Sequence, residues 1–208
     1  MIILDCIQGD EVWHGERNAI PTSTGIEKIV TSTGKLSSQS DAYMNKLLSQ
    51  YVEPAANDDS YRSSSMDRGN ELEPQARELY QSITGHLVEE VGGIWFDENK
   101  DMLCSPDGLI RLIKRGLEIK NPELHTHIGY VRAGVLPTKY IIQVQSGMMF
   151  SGYKTWDFMS NHPNFRPLII TVHRDEKLIT KIRESVLAFN MQLKQEKAII
   201  DQHRQAEF

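Results

Sequence analysis

The sequence predicts an α/β (α+β) fold, a central mixed β-sheet flanked by helices. Three observations lead there. Segments with apolar residues at helical spacing alternate along the chain with short β-prone runs. The runs between His86 and Leu112 are separated by turn residues and lead into the strand that holds Glu118. The resulting order of helices, meander, helices, strands and a last helix puts helical layers against one sheet. At 208 residues the chain is read as a single domain, residues 1–208, with a sizeable core.

From the N-terminus, Val12 and Trp13 are expected to anchor a short helix. Pro21 to Gly25 then supplies hydroxyls just before Ile26–Val30. Those hydroxyls either cap a helix or, with Arg17 nearby, line an anion pocket at a helix start. Residues 31–40 are rich in Ser, Thr and Gly and read as loop. A helix is expected over 41–52, with Tyr43, Leu47, Leu48 and Tyr51 on its apolar side. Residues 54–62 are polar and read as a mobile loop. A long helix follows over 64–82 and stops at Gly85; Pro74 should kink it or mark a second start. Its Glu71, Glu73 and Glu78 are candidate acids.

Strand-like runs occupy 87–91, 93–96, 102–104 and 109–112, with a turn at 97–100. Two further helices are expected over 123–133 and 138–150. Gln143 and Gln145 need partners in the second, which is otherwise apolar. Residues 156–159 and 168–173 read as strands. An amphipathic helix closes the chain over 175–203, with Leu178, Ile182, Val186, Phe189, Leu193 and Ile199 inward.

Composition narrows the class of function. Hydrophobic content of 39% and charged content of 25% are those of a soluble globular protein, and no apolar run approaches the length of a membrane span. A cytoplasmic protein is expected. Cys6 and Cys104 are too few for a disulfide framework and read as reduced thiols. The net charge of −5 argues against a protein that coats polyanions indiscriminately. It leaves room for a local basic groove, and Lys114, Arg115, Lys120, Arg132 and Lys139 are positive around the segment described next.

The chemistry concentrates between Leu103 and Pro122. Leu117 and Ile119 alternate with Glu118 and Lys120, so on a strand the apolar pair faces a core and the charged pair shares the other side. Asp107 precedes a short apolar run and the basic turn Lys114-Arg115-Gly116, which reads as a hairpin that folds Asp107 back toward Glu118. Two carboxylates and an ammonium would then meet. Oxygen ligands of this kind hold a hard divalent cation, which neutralises a phosphodiester and activates water. The same trio is also what an exposed hairpin with a surface ion pair would carry.

The wider set of motifs resembles one family. Gln8-Gly-Asp-Glu-Val-Trp-His14 with Arg17, Arg68-Gly-Asn-Glu-Leu-Glu73, Cys104-Ser-Pro-Asp-Gly-Leu109, Gly116-Leu-Glu-Ile-Lys120 with Pro122, Gln143-Val-Gln145 and Arg174-Asp-Glu-Lys177 stand in the order found in the phage lambda exonuclease family. These are the YqaJ-like viral recombinases of the PD-(D/E)xK nuclease superfamily, and the resemblance spans essentially the whole chain. It implies a restriction-endonuclease-like fold. It also implies an alkaline 5′-to-3′ exonuclease that digests one strand of linear double-stranded DNA to mononucleotides and leaves a 3′ single-stranded overhang for recombination.

By the same resemblance Asp107, Glu118, the Ile119 carbonyl and Glu73 would hold two Mg²⁺ ions, with Mn²⁺ able to substitute. Lys120 would act on the attacking water. Arg17, Thr24 (or Ser23), Ser105 and Gln143 would take the 5′ phosphate, which favours the anion-pocket reading of the hydroxyls over plain capping. Met66 falls where a side chain would wedge the DNA end apart. Implied partners are DNA ends, two further copies in a homotrimer ring and a single-strand annealing protein, with no membrane; a phage or prophage origin in a bacterial cell follows.

Overall fold

The computed structural model describes residues 1–54 and 64–205, with the side chains at 64–66 and 70 outside that description. Residues 55–62 of the loop expected over 54–62, and the side chain of the Met66 wedge, therefore lie outside the described residues.

Two sheets stand where one was expected. Strands β1 (Ile2–Leu4), β2 (Gly93–Trp95) and β3 (Leu103–Cys104) form a small antiparallel sheet in that order. Strands β4 (Gly108–Ile110), β5 (Arg115–Lys120), β6 (Thr155–His162) and β7 (Phe165–His173) form the second. In it β5 and β6 run parallel and the other neighbours antiparallel. The break falls at Ser105-Pro106-Asp107. Pro106 has no N–H to give a ladder, and the Gln8 amide takes both its carbonyl and that of Val91, each at 2.8 Å. The run at 87–91 makes no strand; Glu89 alone bridges Leu109.

The helices are α1 (Glu11–Glu16), α2 (Ser40–Val52), α3 (Ser64–Thr84), α4 (Leu124–Ala133), α5 (Ile141–Ser151) and α6 (Glu176–Gln205). Helices α4 and α5 lie in the crossover that a parallel β5–β6 pair requires. Against one face of the four-stranded sheet, Ala76 and Tyr80 of α3 pack on Ile110, Leu117, Ile119 and Met159. On the other, Trp156 joins Met148 of α5 and Ile182 of α6 in the larger core. Trp156 lies between Gly116 of β5 and Gly147 of α5. A Cβ at either glycine would fall 2.3 or 2.6 Å from its ring, so both positions must lack one for α5 to close on the sheet.

Several local expectations shift. Helix α3 runs unbroken through Pro74, with no second start, and Gly85 ends it at φ +70°. Residues 26–28 form only a 3₁₀ turn without a side-chain cap. Val12 is exposed and Trp13 alone anchors α1. In α2 the buried set is Tyr43, Met44, Leu47 and Gln50, while the Tyr51 hydroxyl reaches Asp201 of α6 at 2.8 Å. In α6, Ile179 is buried and Ile199 is exposed, because the last turns run past the core.

Candidate active site

The register of β4 on β5 sets Gly108 beside Leu117 and so brings Asp107 to the level of Glu118. The Ile119 N–H donates to Asp107 Oδ2 at 2.5 Å. Glu118 is buried and forms an ion pair with Lys120. The ammonium lies against its Oε1. Leu117 and Ile119 face α3, as their alternation requires, and Glu118 and Lys120 share the opposite side of the strand.

Helix α3 adds a third carboxylate. Glu71 and Glu78 are exposed, and Glu73 is half-buried toward Asp107. Burial and the Asp107 charge push Glu73 up to about 7. Burial and Asp107 likewise push Glu118 up to about 8. The protein packed around Asp107 raises its carboxyl too, against the pull of Lys120, the Ile119 N–H and Arg77. Burial lowers Lys120, but Glu118 and Asp107 outweigh it and hold the ammonium charged above the ordinary lysine range. Three acids thus crowd one corner where each is driven toward its neutral form.

Arg77 organises that corner and was not singled out from the sequence. Its Nε donates to the Asp107 carbonyl at 3.0 Å, Nη2 to Glu73 at 2.6 Å, and Nη1 pairs with Glu90 at 2.7 Å. The Glu73–Arg77 spacing of four on a helix was the available signal. With Glu73 turned to Arg77, no group of three His, Cys, Asp or Glu side chains forms a ready metal cage among the described residues. The donors still fit a hard divalent cation: carboxylate oxygens of Asp107 and Glu118 meet at one corner, and a cation would relieve their mutual repulsion.

A second site lies around Arg17. Asp10 caps α1, accepting from Trp13 N–H at 2.6 Å. Arg17 follows at the C-terminal end of α1, its guanidinium 4.2 Å from the Trp13 ring centroid. Its Nη1 and the Trp13 indole N–H both donate to Ser105 Oγ, at 2.8 and 3.0 Å. Ser105 Oγ donates in turn to the Gly92 carbonyl at 3.0 Å. A cleft of about 240 Å³ is lined by Trp13, Arg17, Thr22, Thr24, Lys28 and Lys46, among others, and no acid lines it. Burial lowers the Arg17 pKa, the mark of a cation held without a carboxylate. Thr24 is exposed at this cleft, whereas Ser23 is buried against the Cys104 thiol. A larger cleft of about 460 Å³, between 85–89 and 109–112, carries none of these groups.

Residues 12–154 match the YqaJ-like viral recombinase domain. The chain belongs to that family. Its structure is similar to that of an alkaline exonuclease, LHK-Exo, from Laribacter hongkongensis, at 30% identity and TM-score 0.82 over 94% of this chain and 98% of that one. The same neighbour in complex with dAMP aligns at TM-score 0.81 with 30% identity and the same coverage. A phage-related exonuclease from Haemophilus somnus 129PT shares the fold, at TM-score 0.68, 16% identity, 90% of this chain and 99% of that one. No curated protein sequence matches the chain. No helix among the described residues is long and apolar enough to cross a membrane.

In this YqaJ-like chain, Asp107, Glu118, Ile119 and Lys120 are brought together, with Glu73 beside them on Arg77. Arg17 and Ser105 touch, and Thr24 lines the same cleft as Arg17. Gln143 is half-exposed in the first turn of α5 and has no hydrogen-bond partner among the described residues. Gln145 is structural. It donates to the His173 carbonyl and accepts from the Asp175 N–H, both at 2.9 Å, and so ties α5 to the start of α6.

Proposed function

We propose that the chain is a Mg²⁺-dependent exonuclease that digests one strand of linear double-stranded DNA from its 5′ end. It releases mononucleotides and leaves a 3′ single-stranded tail for recombination, and Mn²⁺ substitutes for Mg²⁺. The observation behind this is the corner of Asp107, Glu118 and Lys120 in a YqaJ-like chain 30% identical to a protein described as an alkaline exonuclease. That neighbour's complex with dAMP, a mononucleotide, supports the same product class.

Asp107, Glu118 and the Ile119 carbonyl would hold one ion and Glu73 a second. Bound there, the metal supplies charge at the scissile phosphate and a more acidic water. Lys120 keeps its proton and offers a fixed positive charge to the water or to the developing oxyanion. Glu118 holds Lys120 in place through their ion pair, and Arg77 fixes the Asp107 backbone and the Glu73 carboxylate. Arg17, Thr24, Ser105 and Gln143 bind the 5′ phosphate, where the arginine fork meets two oxygens at once. Met66 is assigned to parting the strands at the end. Three copies closed into a ring, handing the tail to an annealing protein, complete the proposal, and a trimer mass by light scattering is expected.

The test is digestion of a linear 5′-phosphorylated duplex with and without Mg²⁺, with products read by size. Mononucleotides are expected only with metal, and a covalently closed circle should stay intact. Asp107→Ala or Lys120→Ala should abolish digestion while the protein stays folded; full activity in either would remove the mechanism.

A further inference from the structure

A cationic shelf adjoins Lys120 on the sheet face away from α3. Lys139 Nζ lies 4.8 Å from the Tyr140 ring centroid and 5.7 Å from that of Tyr130. Lys120 Nζ lies 5.6 Å from the same Tyr140 centroid, so the two ammoniums converge on one ring. The tyrosines meet edge to face at 6.3 Å, and both lean on Phe158, at 5.1 and 6.4 Å. Phe158 is fully buried on β6 and pairs in register with Glu118. The shelf is therefore built on the strand beside the carboxylate corner, not on a free loop.

Its charge is uncompensated. Lys120 is neutralised by Glu118, but Lys139 is exposed and pairs with no carboxylate among the described residues. Contact with the Tyr130 hydroxyl, and then that of Tyr140, keeps its ammonium charged. A lysine gripped by two rings gives up less side-chain freedom when it meets an anion than one waving in solvent. Phe158 lies 5.1 Å from the Tyr140 ring and the two ammoniums stand 5.6 and 4.8 Å from its centroid, a cationic setting that favours an anion over a stacked base.

We propose that Lys139, held by Tyr130 and Tyr140, binds a backbone phosphate of the strand being cut, next to the linkage at Asp107, Glu118 and Lys120. This rests on the nuclease reading above. Lys139 meets the substrate, and Tyr130 and Tyr140 are positioning residues.

The experiment compares wild type, Lys139→Ala, Lys139→Arg and Tyr140→Phe. Binding of a linear duplex is measured without metal at several salt concentrations, and digestion is measured with Mg²⁺. Lys139→Ala should weaken binding and raise KM roughly tenfold. It should cut the slope of log affinity against log salt by about one, with kcat within about twofold. Lys139→Arg should restore the slope, and Tyr140→Phe should fall between. Unchanged affinity and slope in Lys139→Ala would overturn the subsite while leaving the nuclease reading intact. Wild type that never cuts, with Lys139→Ala still lowering affinity and slope, would remove the nuclease reading and leave only a backbone-phosphate contact at Lys139. Wild type that neither binds nor cuts would remove both.

Discussion

Two buried acid sites sit on adjacent strands of one sheet and are treated in opposite ways. Asp157 on β6 is fully served: Tyr80 donates at 2.6 Å, Arg115 at 3.0 Å and Thr171 at 2.7 Å. Glu118 on β5 has a single partner among the described residues, Lys120, and Asp107 and Glu73 as repelling neighbours. The first arrangement ties α3, β5, β6 and β7 together through one carboxylate. The second is short of positive charge. Burial alone does not separate a structural acid from a functional one; the completeness of its partners does.

The largest effects should separate the two sites. Glu118→Gln is expected to lower digestion of linear duplex by roughly 10²–10³-fold. In metal-free buffer above about pH 8, where Glu118 carries its charge, it should change the melting temperature by no more than a few degrees, because relief of the repulsion from Asp107 offsets the lost ion pair with Lys120. Asp157→Ala should do the reverse. Removing one partner of a buried network is expected to cost about 3 kcal/mol by denaturant titration, with activity retained in the cold. An Asp157 variant that is stable but inactive, or a Glu118 variant that unfolds, would break the contrast.

A pH series sharpens it. Glu73 and Glu118 have folded pKa values of about 7 and about 8, against 4.5 for an ordinary glutamate. Between those limits the folded state binds more protons than the unfolded one. The stability that these two acids contribute without metal is therefore fully present below about pH 4.5 and is lost as pH rises through about 8. Saturating Mg²⁺ should flatten that fall; thermal melts over this range with and without metal provide the check. The smallest expected effect is at the second site. Arg17→Ala should lose roughly tenfold preference for 5′-phosphorylated over 5′-hydroxyl ends. An unchanged preference would detach the Arg17 cleft from the 5′ end.

The corner was legible in the sequence because its parts are local. Asp107 and Glu118 lie on one hairpin, and the alternation of Leu117 to Lys120 fixes which side chains share a face. What stayed hidden depends on distant chain. The meander splits because Gln8, far upstream, takes the Val91 and Pro106 carbonyls. Arg77 matters because α3 meets the hairpin at Asp107. Asp157 looked like any strand residue until Tyr80, Arg115 and Thr171 arrived from three other elements. The different settings of Ser23, buried against the Cys104 thiol, and Thr24, exposed at the Arg17 cleft, come from packing that no local pattern carries.

The contrast predicts that a divalent cation binds at Asp107 and Glu118 and not at the Asp157 network. Calorimetric titration of Mn²⁺ into wild type, Glu118→Gln and a folded Asp157→Asn variant tests it most directly. Wild type and Asp157→Asn should bind the ion with similar affinity, and Glu118→Gln should lose most of the heat. Equal binding by Glu118→Gln and wild type, or loss confined to Asp157→Asn, would contradict it.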